Sequence, residues 1–393
     1  MRTPALLAAA ALLAAAALPA PAQDVKQKPG AAPGPEVLKE KFKDEVLVKG
    51  AKAPLAGVEV TGESFEKVEW KPRSGPPGSR PPSEVLSIAY GDTPSNFVKG
   101  MEAWRTARWA EAAQEFRGVA EAVRSKVCRP FWEARGLAYL GDSLRRVAAK
   151  EKNPARSLEA AKAFEESLLK DPKSPLLDTV CLGLAEARAG GGDWDGAFKA
   201  LDGFAKTASA SGRVAWEASV HLARGRLLER RGDVAGAAAE FEELARFASS
   251  KASSVPSDSP DRALLERLRV SGLVNKGWAL FARAEKTKSP GDMDAARAFF
   301  ESLPREAGGN AAGKAASLNG VGSVLLSQGK AREALEKFVE VEVTMFAVPE
   351  EVARALWHKA EAWKALGSPA GREAALRDLV EYYGWSEWAE RAR

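Results

Sequence analysis

From about residue 94 onward, apolar side chains recur three and four positions apart, the spacing that gathers them on one face of a helix. The pattern is clearest in residues 225–244 (GRLLERRGDVAGAAAEFEEL), which predict two short helices joined by a tight turn. Its landmarks Gly225, Leu228, Gly232, Ala237, Phe241 and Leu244 return 97 residues later as Gly322, Leu325, Gly329, Ala334, Phe338 and Val341. Moved back 125 residues they become Gly100, Ala103, Ala107, Ala112, Phe116 and Val119. Each has a physical task. Gly225 and Ala237 are small where two helices must approach closely, and Gly232 can take the left-handed conformation that ends a helix. Phe241 and Leu244 lie three apart, so both point into the seam between helices.

Ahead of this array the period changes to two. Val46 and Val48, Val58 and Val60, Val68 and Trp70, then Leu86, Ile88 and Tyr90 alternate with polar residues, punctuated by Gly50, Gly57 and Gly62. Four short antiparallel strands over residues 44–92 are predicted, a small curled sheet or barrel, with residues 73–82 a loop too rich in proline for any ladder. So small a sheet holds little core alone and is expected to pack on the first helix pair as a cap. Residues 23–43 have the Pro, Gly, Lys and Ala content of a linker. Residues 1–22 differ again: Arg2, an unbroken Ala and Leu run from Leu6 to Leu18, then Ala20 and Ala22 before an expected cut. This is the pattern of a secretory signal peptide. With no Cys near the cut and no later apolar run long enough to span a bilayer, the expectation is a periplasmic or secreted protein with no membrane span.

Seven helix pairs are predicted over residues 94–393. The first holds Trp104 and Trp109 beside its landmarks. The second joins Phe131, Gly136 and Tyr139 to Ala160, Phe164 and Pro172, with its halves twelve residues farther apart than in 225–244, so a long first helix or a looped insertion is expected. The third carries Gly192, Ala197, Leu201 and Phe204. After the fourth, residues 249–260 (SSKASSVPSDSP) predict a loop. The fifth has Gly277, Leu280, Gly291, Ala296, Phe300 and Leu303, and its seven extra residues are close to two helical turns, which keeps the apolar face in register through a lengthened helix. The seventh is degenerate. Ala360, Trp363 and Gly367 fit, Arg372 does not, and Tyr382, Trp385 and Trp388 are spaced to cover an exposed end.

The helix–turn–helix unit, with small residues and Phe at fixed offsets, resembles the tetratricopeptide repeat over about three quarters of the chain. Turn-to-turn spacings of 38 and 40 exceed the family's usual length of about 34 residues. The resemblance implies a mainly α fold, a tetratricopeptide-like α-solenoid behind a small antiparallel β domain. That domain is itself similar to the SH3-like modules that precede helical repeats in some exported bacterial proteins. The tail also resembles the repeats of bacterial envelope proteins that help assemble or coordinate the outer membrane.

Composition adds mainly exclusions. Fifty-eight Lys and Arg against 53 Asp and Glu, interleaved throughout, are an ordinary solvated surface rather than the basic stripe of a nucleic-acid binder. The densest basic run, Arg224, Arg226, Arg230 and Arg231, is broken by Glu229 and followed by Asp233. Cys128 and Cys181 have no CxxC spacing and read as free, buried thiols rather than a disulfide framework. His221 and His358 lie 137 residues apart with no acid or cysteine at ligand spacing, so packing is their expected role. Residues 319–322 (NGVG) follow no strand and lack the third glycine of a nucleotide-binding turn. No motif points to an enzyme, a metal or a cofactor.

Binding is what the resemblance implies instead. Stacked pairs form a groove lined by the first helix of each. Family geometry places on its wall Ser219, Leu222, Arg226 and Glu229 in the fourth pair. It places Ala316, Asn319, Ser323 and Leu326 there in the sixth, and Arg354, Trp357, Glu361 and Lys364 in the last. This mixed apolar and charged wall suits an extended peptide or a partner helix. The carboxylate clamp that some members build from paired Asn and Lys is not supported, since Asn319 stands alone. Trp104 and Trp357 read as exposed anchors or, preferably, as seam fillers. The expected function is a non-enzymatic protein-binding scaffold of the bacterial cell envelope. Two alternatives are an envelope glycan binder or processor working through acids such as Glu186, Glu229 and Glu361, and an architectural subunit that self-associates through its end caps.

Overall fold

The computed structural model describes residues 43–256 and 259–392, so the expected signal peptide and residues 23–42 of the linker lie outside the described residues. The chain divides between Phe204 and Ala205, inside helix α6 (Trp194–Ser211), into two compact units.

The first unit opens with β1 (Asp44–Val48), β2 (Leu55–Glu63), β3 (Val68–Pro72), β4 (Gly78–Arg80) and β5 (Val85–Ala89), one antiparallel sheet in the order β4-β3-β2-β1-β5. Val46, Val58, Val60, Val68 and Trp70 form its core, as the alternation predicts. Two details differ from the sequence expectation. The stretch expected to be a loop contributes β4, an edge strand that needs one ladder only; its prolines flank residues 78–80 rather than interrupt them. Gly78 lies under the Trp70 ring, where an added Cβ would sit 2.4 Å from Cε2. On the other edge the ladder slips between Leu47 and Val48. Val85 and Ile88 therefore pack on the core, and Leu86, expected inside, is 50% exposed.

Helices α1 (Ser95–Arg105), α2 (Trp109–Arg124), α3 (Phe131–Glu151), α4 (Pro154–Lys170) and α5 (Leu177–Gly190) follow as antiparallel neighbours around buried Phe116 and Phe164. The 21-residue α3 supplies the expected long helix. On α3 the glycine that faces Phe164 is Gly141, not Gly136, which lies against Val119 instead; Gly183 of α5 meets the same ring. Gly141 precedes its Phe by 23 residues, as Gly277 precedes Phe300, so both long pairs carry the same two-turn extension.

The sheet docks on the second helix pair rather than the first. Arg129, in the loop entering α3, donates to Asp44 Oδ1 and Oδ2 (2.8 and 2.7 Å), to Asp92 Oδ1 and Oδ2 (2.6 and 2.9 Å) and to the Val60 carbonyl (3.1 Å). Arg135 of α3 donates to Glu63, and Phe65 N–H donates to the Lys173 carbonyl beyond α4 (3.1 Å).

The second unit stacks hairpins α7 (Val214–Arg231) with α8 (Val234–Ala252), α9 (Pro260–Thr287) with α10 (Pro290–Glu306), α11 (Ala311–Ser327) with α12 (Ala331–Thr344), and α13 (Pro349–Ala365) with α14 (Pro369–Tyr382). A six-residue α15 (Glu387–Ala392) ends the described chain. α8 runs on to Ala252, four residues into the expected loop, and the 28-residue α9 is the lengthened helix predicted for the fifth pair. Phe241, Phe300 and Phe338 are fully buried at the hairpin centres. A Cβ added at Gly225 would lie 2.4 Å from Phe241 Cε1, and one at Gly322 would lie 2.6 Å from Phe338 Cε1, which is why the helices need glycine there. Gly232 ends α7 at φ +87°, and Asp233 starts α8 by accepting from Gly236 N–H (2.9 Å). The fold is a mainly α array of tetratricopeptide-like helix pairs behind a small antiparallel sheet.

Candidate functional site

All twelve predicted wall residues fall in the second unit, on α7, α11 and α13. These first helices are successive neighbours through α9, which packs on α7 and α11, and α11 packs on α13. Arg226 and Glu229 are exposed at the end of α7, Ser219 is partly buried, and Leu222 is buried in the core. In α11, Asn319 and Ser323 face inward. Asn319 donates to the Glu351 carbonyl (2.9 Å) and to Glu351 Oε2 (2.8 Å), and Ser323 donates to the Asn319 carbonyl (2.9 Å). Asn319 ties α11 to α13, the Ser323 bond stays within α11, and neither presents a wall. Lys364 reaches the turn of the last hairpin, lining a cleft of about 650 Å³ with Pro369, Arg372 and Leu376. Glu361 lies 3.6 Å from Lys364, and Trp357 is a half-buried seam residue. Arg354 is turned further in than a wall position, with 17% of its side chain exposed and Glu351 at 3.4 Å.

What Arg354 turns toward is a cluster the repeat spacing does not announce. Its guanidinium lies 4.2 Å over the Trp278 ring of α9 and 5.3 Å from the Trp388 ring of α15. His358, one turn along α13, stacks on Trp278 (6.0 Å, 2° between planes) and on Phe338 (5.5 Å), with Trp388 at 5.6 Å. Trp388 is thus buried on the face of the first helices, while Tyr382 and Trp385, expected to cover the end with it, are 55% and 44% exposed. The one legible signal was position. Arg354 and His358 lie four apart on α13, while Trp278 and Trp388 come from helices far away in sequence.

Charge gathers beside the rings. Surrounding protein partly desolvates the Glu229 and Glu350 carboxyls, although both side chains keep contact with solvent, and lifts them above their ordinary range; the Glu387 carboxylate lifts both further, against the pull of Arg354 on each and of Arg226 and Arg391 on Glu229. Burial also drives His358 from the ordinary 6.5 down to about 3, helped by Arg354 and Arg391. The folded chain therefore holds the ring neutral where the unfolded chain protonates it. Above about pH 6.5 the two states bind the same protons at this site. Below it the unfolded state binds more, and stability falls by up to about 1.4 kcal/mol per pH unit until pH approaches 3. His358→Phe is expected to flatten that decline between pH 6.5 and 4 in urea titrations; an unchanged slope refutes the assignment.

Elsewhere the side chains are committed to structure. Trp104 Nε1 donates to buried Asp142 Oδ2 (2.8 Å), which also takes Arg146 (2.7 Å), while Arg145 bridges Asp142 and Glu186. His221 Nδ1 meets Glu240 Oε2 at 2.9 Å. Cys128 and Cys181 are free thiols, both pushed up by burial to about 12. In the first unit, a cleft of about 420 Å³ lies between β2 and α3, walled by Glu63, Tyr90, Phe131, Arg135 and Asp171. Its charges satisfy one another, since Arg135 donates to Glu63 and to Tyr90 Oη (3.1 Å), and Tyr90 donates to Glu63. Among the described residues no group of three or more His, Cys, Asp and Glu is placed to hold a metal, and no helix is long and apolar enough to cross a membrane.

No protein-family model and no curated protein matches the chain. Solved structures similar to it include a tetratricopeptide repeat protein from Parabacteroides merdae, at 14% identity over 75% of this chain and 94% of that one, with a TM-score of 0.46. Another is the human IFIT1 dimer with m7Gppp-AAAA, at 13% identity over 75% of this chain and 69% of that one, with a TM-score of 0.40.

Proposed function

We propose that this chain is a non-enzymatic protein-binding scaffold, and that its working surface is the face of the second unit formed by the first helices α7, α9, α11 and α13. The supporting observation is that this face already holds one short helical segment, α15, anchored by Trp388 against Arg354 and His358. A surface of rings bordered by exposed Arg226 and Glu229 has an anchor site and a polar rim, the features with which protein interfaces combine affinity and register. Two of the three acids on which a glycan-processing reading leans are engaged with cations, Glu186 with Arg145 and Glu361 near Lys364. Export to the periplasm or medium belongs to the same proposal, and the mature amino terminus, read by mass spectrometry, is expected at Gln23; a mature chain that still carries Met1 refutes it.

The direct test exchanges the rim charges. The double variant Arg226→Glu, Glu229→Arg keeps net charge and fold while reversing the local field. A protein crosslinked to the wild-type chain in its own cell envelope is expected to be lost, or captured at least about tenfold less, by the variant. Equal capture by both chains contradicts the proposal.

A further inference from the structure

The inner hairpins of the second unit show what the outer side of α14 is shaped to receive. α9 packs on α8, α11 on α10 and α13 on α12. In the two later seams the buried phenylalanine of the second helix meets that incoming first helix. Gly320 of α11 lies against the Phe300 ring, and His358 of α13 stacks on Phe338 (5.5 Å). Phe338 stands nine residues after the turn glycine Gly329, and the same step from Gly367 reaches Leu376. Glu342, thirteen residues after Gly329, takes Lys359 of α13 (2.6 Å), and its counterpart on α14 is Val380. Both counterparts are half-buried, and both line the cleft of about 650 Å³ on the last hairpin. α15 packs on α13 and α14 through Trp388 and Ala389, and none of its residues lines that cleft. The side of α14 that would carry a further first helix is therefore open to solvent among the described residues.

We propose that this cleft is the seat of a helix from a partner protein, with apolar side chains over Leu376 and Val380 and with Asp or Glu facing Lys364, Arg372 and Arg377. The repeat geometry gives the shape, a helix laid on α14 as α13 is laid on α12. Charge gives the chemistry. Where α12 buries Ala334, α14 exposes Arg372, which has no ion pair among the described residues. Arg377 and Lys364 line the cleft with it, against one carboxylate, Glu373. Glu361 lies 3.6 Å from Lys364 and Asp378 lies 3.9 Å from Arg377, loose pairs of exposed cations that leave most of their charge to an incoming acid. The stems of the three cations add apolar surface around Leu376 and Val380. A second copy docked about a two-fold axis would set the same three cations face to face, so the occupant is a different, acidic chain. This seat lies on the last second helix and stands independently of the proposed face of first helices.

Three fluorescein-labelled peptides test this against the full chain by fluorescence anisotropy: EELLEALLEELLEA, its basic counterpart KKLLKALLKKLLKA, and an isomer of the first with its leucines at no helical spacing. Wild type is expected to bind the first at least about tenfold more tightly than either of the others. The double variant Arg372→Glu, Arg377→Glu is expected to lose the preference for acid over base, and Leu376→Ser to weaken binding of the acidic peptide by about threefold or more. The first-helix variant Arg226→Glu, Glu229→Arg is expected to bind that peptide as wild type does. Loss in that variant with none in the α14 variants moves the peptide to the first-helix face and overturns the seat while leaving that face standing. No binding of the acidic peptide, or equal binding of all three, overturns it as well. Should the double variant lose its circular dichroism, Lys364→Glu, at a side chain 63% exposed, takes its place, and unchanged affinity there counts against the seat. Sedimentation tests the other occupant. A wild-type dimer that the double variant dissolves makes a second copy the occupant and contradicts the acidic partner; monomers in both agree with it.

Discussion

Replacing Arg129 by Ala is expected to remove about 3–5 kcal/mol from the stability of the first unit, the loss typical when one partner of a buried ion pair is deleted. The reason is what remains behind. Asp44 is only 2% exposed and sits between β1 and β2, where its Oδ2 also accepts from Val60 N–H (2.8 Å). Asp92 is held by Arg129 through both side chain and backbone. Burial pulls the Asp92 carboxyl up, yet the hydrogen bonds from Arg129 outweigh it and hold the group below its ordinary 3.8. The sign of the pH effect follows. Stabilisation by this pair is complete above that ordinary value and is lost as pH falls below it and the folded carboxylate protonates. Arg129→Lys should fall between wild type and Ala, because a single ammonium cannot reproduce the fork that serves two carboxylates and a carbonyl. Urea unfolding by circular dichroism measures all three. A loss below about 1 kcal/mol for Arg129→Ala would mean that the sheet is fastened by its apolar face instead.

Phe338→Ala is expected to cost about 3–5 kcal/mol in the second unit, the range for emptying a fully buried aromatic site. Two neighbours make partial collapse difficult. Gly322 lies against the ring and has no side chain to move into the space, and His358 loses one of its stacked partners. Because helix arrays are stabilised by nearest-neighbour interfaces, the damage should concentrate locally. Amide exchange should quicken in α11, α12 and α13 before it does in α8. Phe338→Leu, which refills part of the volume, should recover roughly half of the loss. Uniform acceleration across the unit would show that these hairpins unfold as one block.

The helix pairs were legible because their determinants are local. A glycine sixteen residues before a phenylalanine, as at Gly225 and Phe241, requires only that two adjacent helices close on each other. The second pair shows the limit. Gly136 and Gly141 both sit on α3, five residues apart and on different faces, and only the position of Phe164 decides which of them meets the ring. β4 was hidden because proline density reads as loop, although three proline-free residues suffice for an edge strand. The wall residues were half legible. First-helix positions carry the surface, as at Arg226 and Glu229, but which polar residue faces out depends on the next helix. Asn319 is turned inward by Glu351, 32 residues away. Beyond the four-residue spacing of Arg354 and His358, the Trp278, His358 and Trp388 cluster had no local signal, since it exists only once α9, α13 and α15 meet.

The central claim, that the face of first helices is where this protein binds others, is tested most directly by site-specific photocrosslinking in cells that make the protein. A photoreactive side chain replaces Arg226 on that face in one chain and exposed Val343 on α12 in another. A discrete protein adduct from position 226, absent from position 343, is the predicted result. Adducts from position 343 with none from 226 would move the working surface to the second helices and contradict the account.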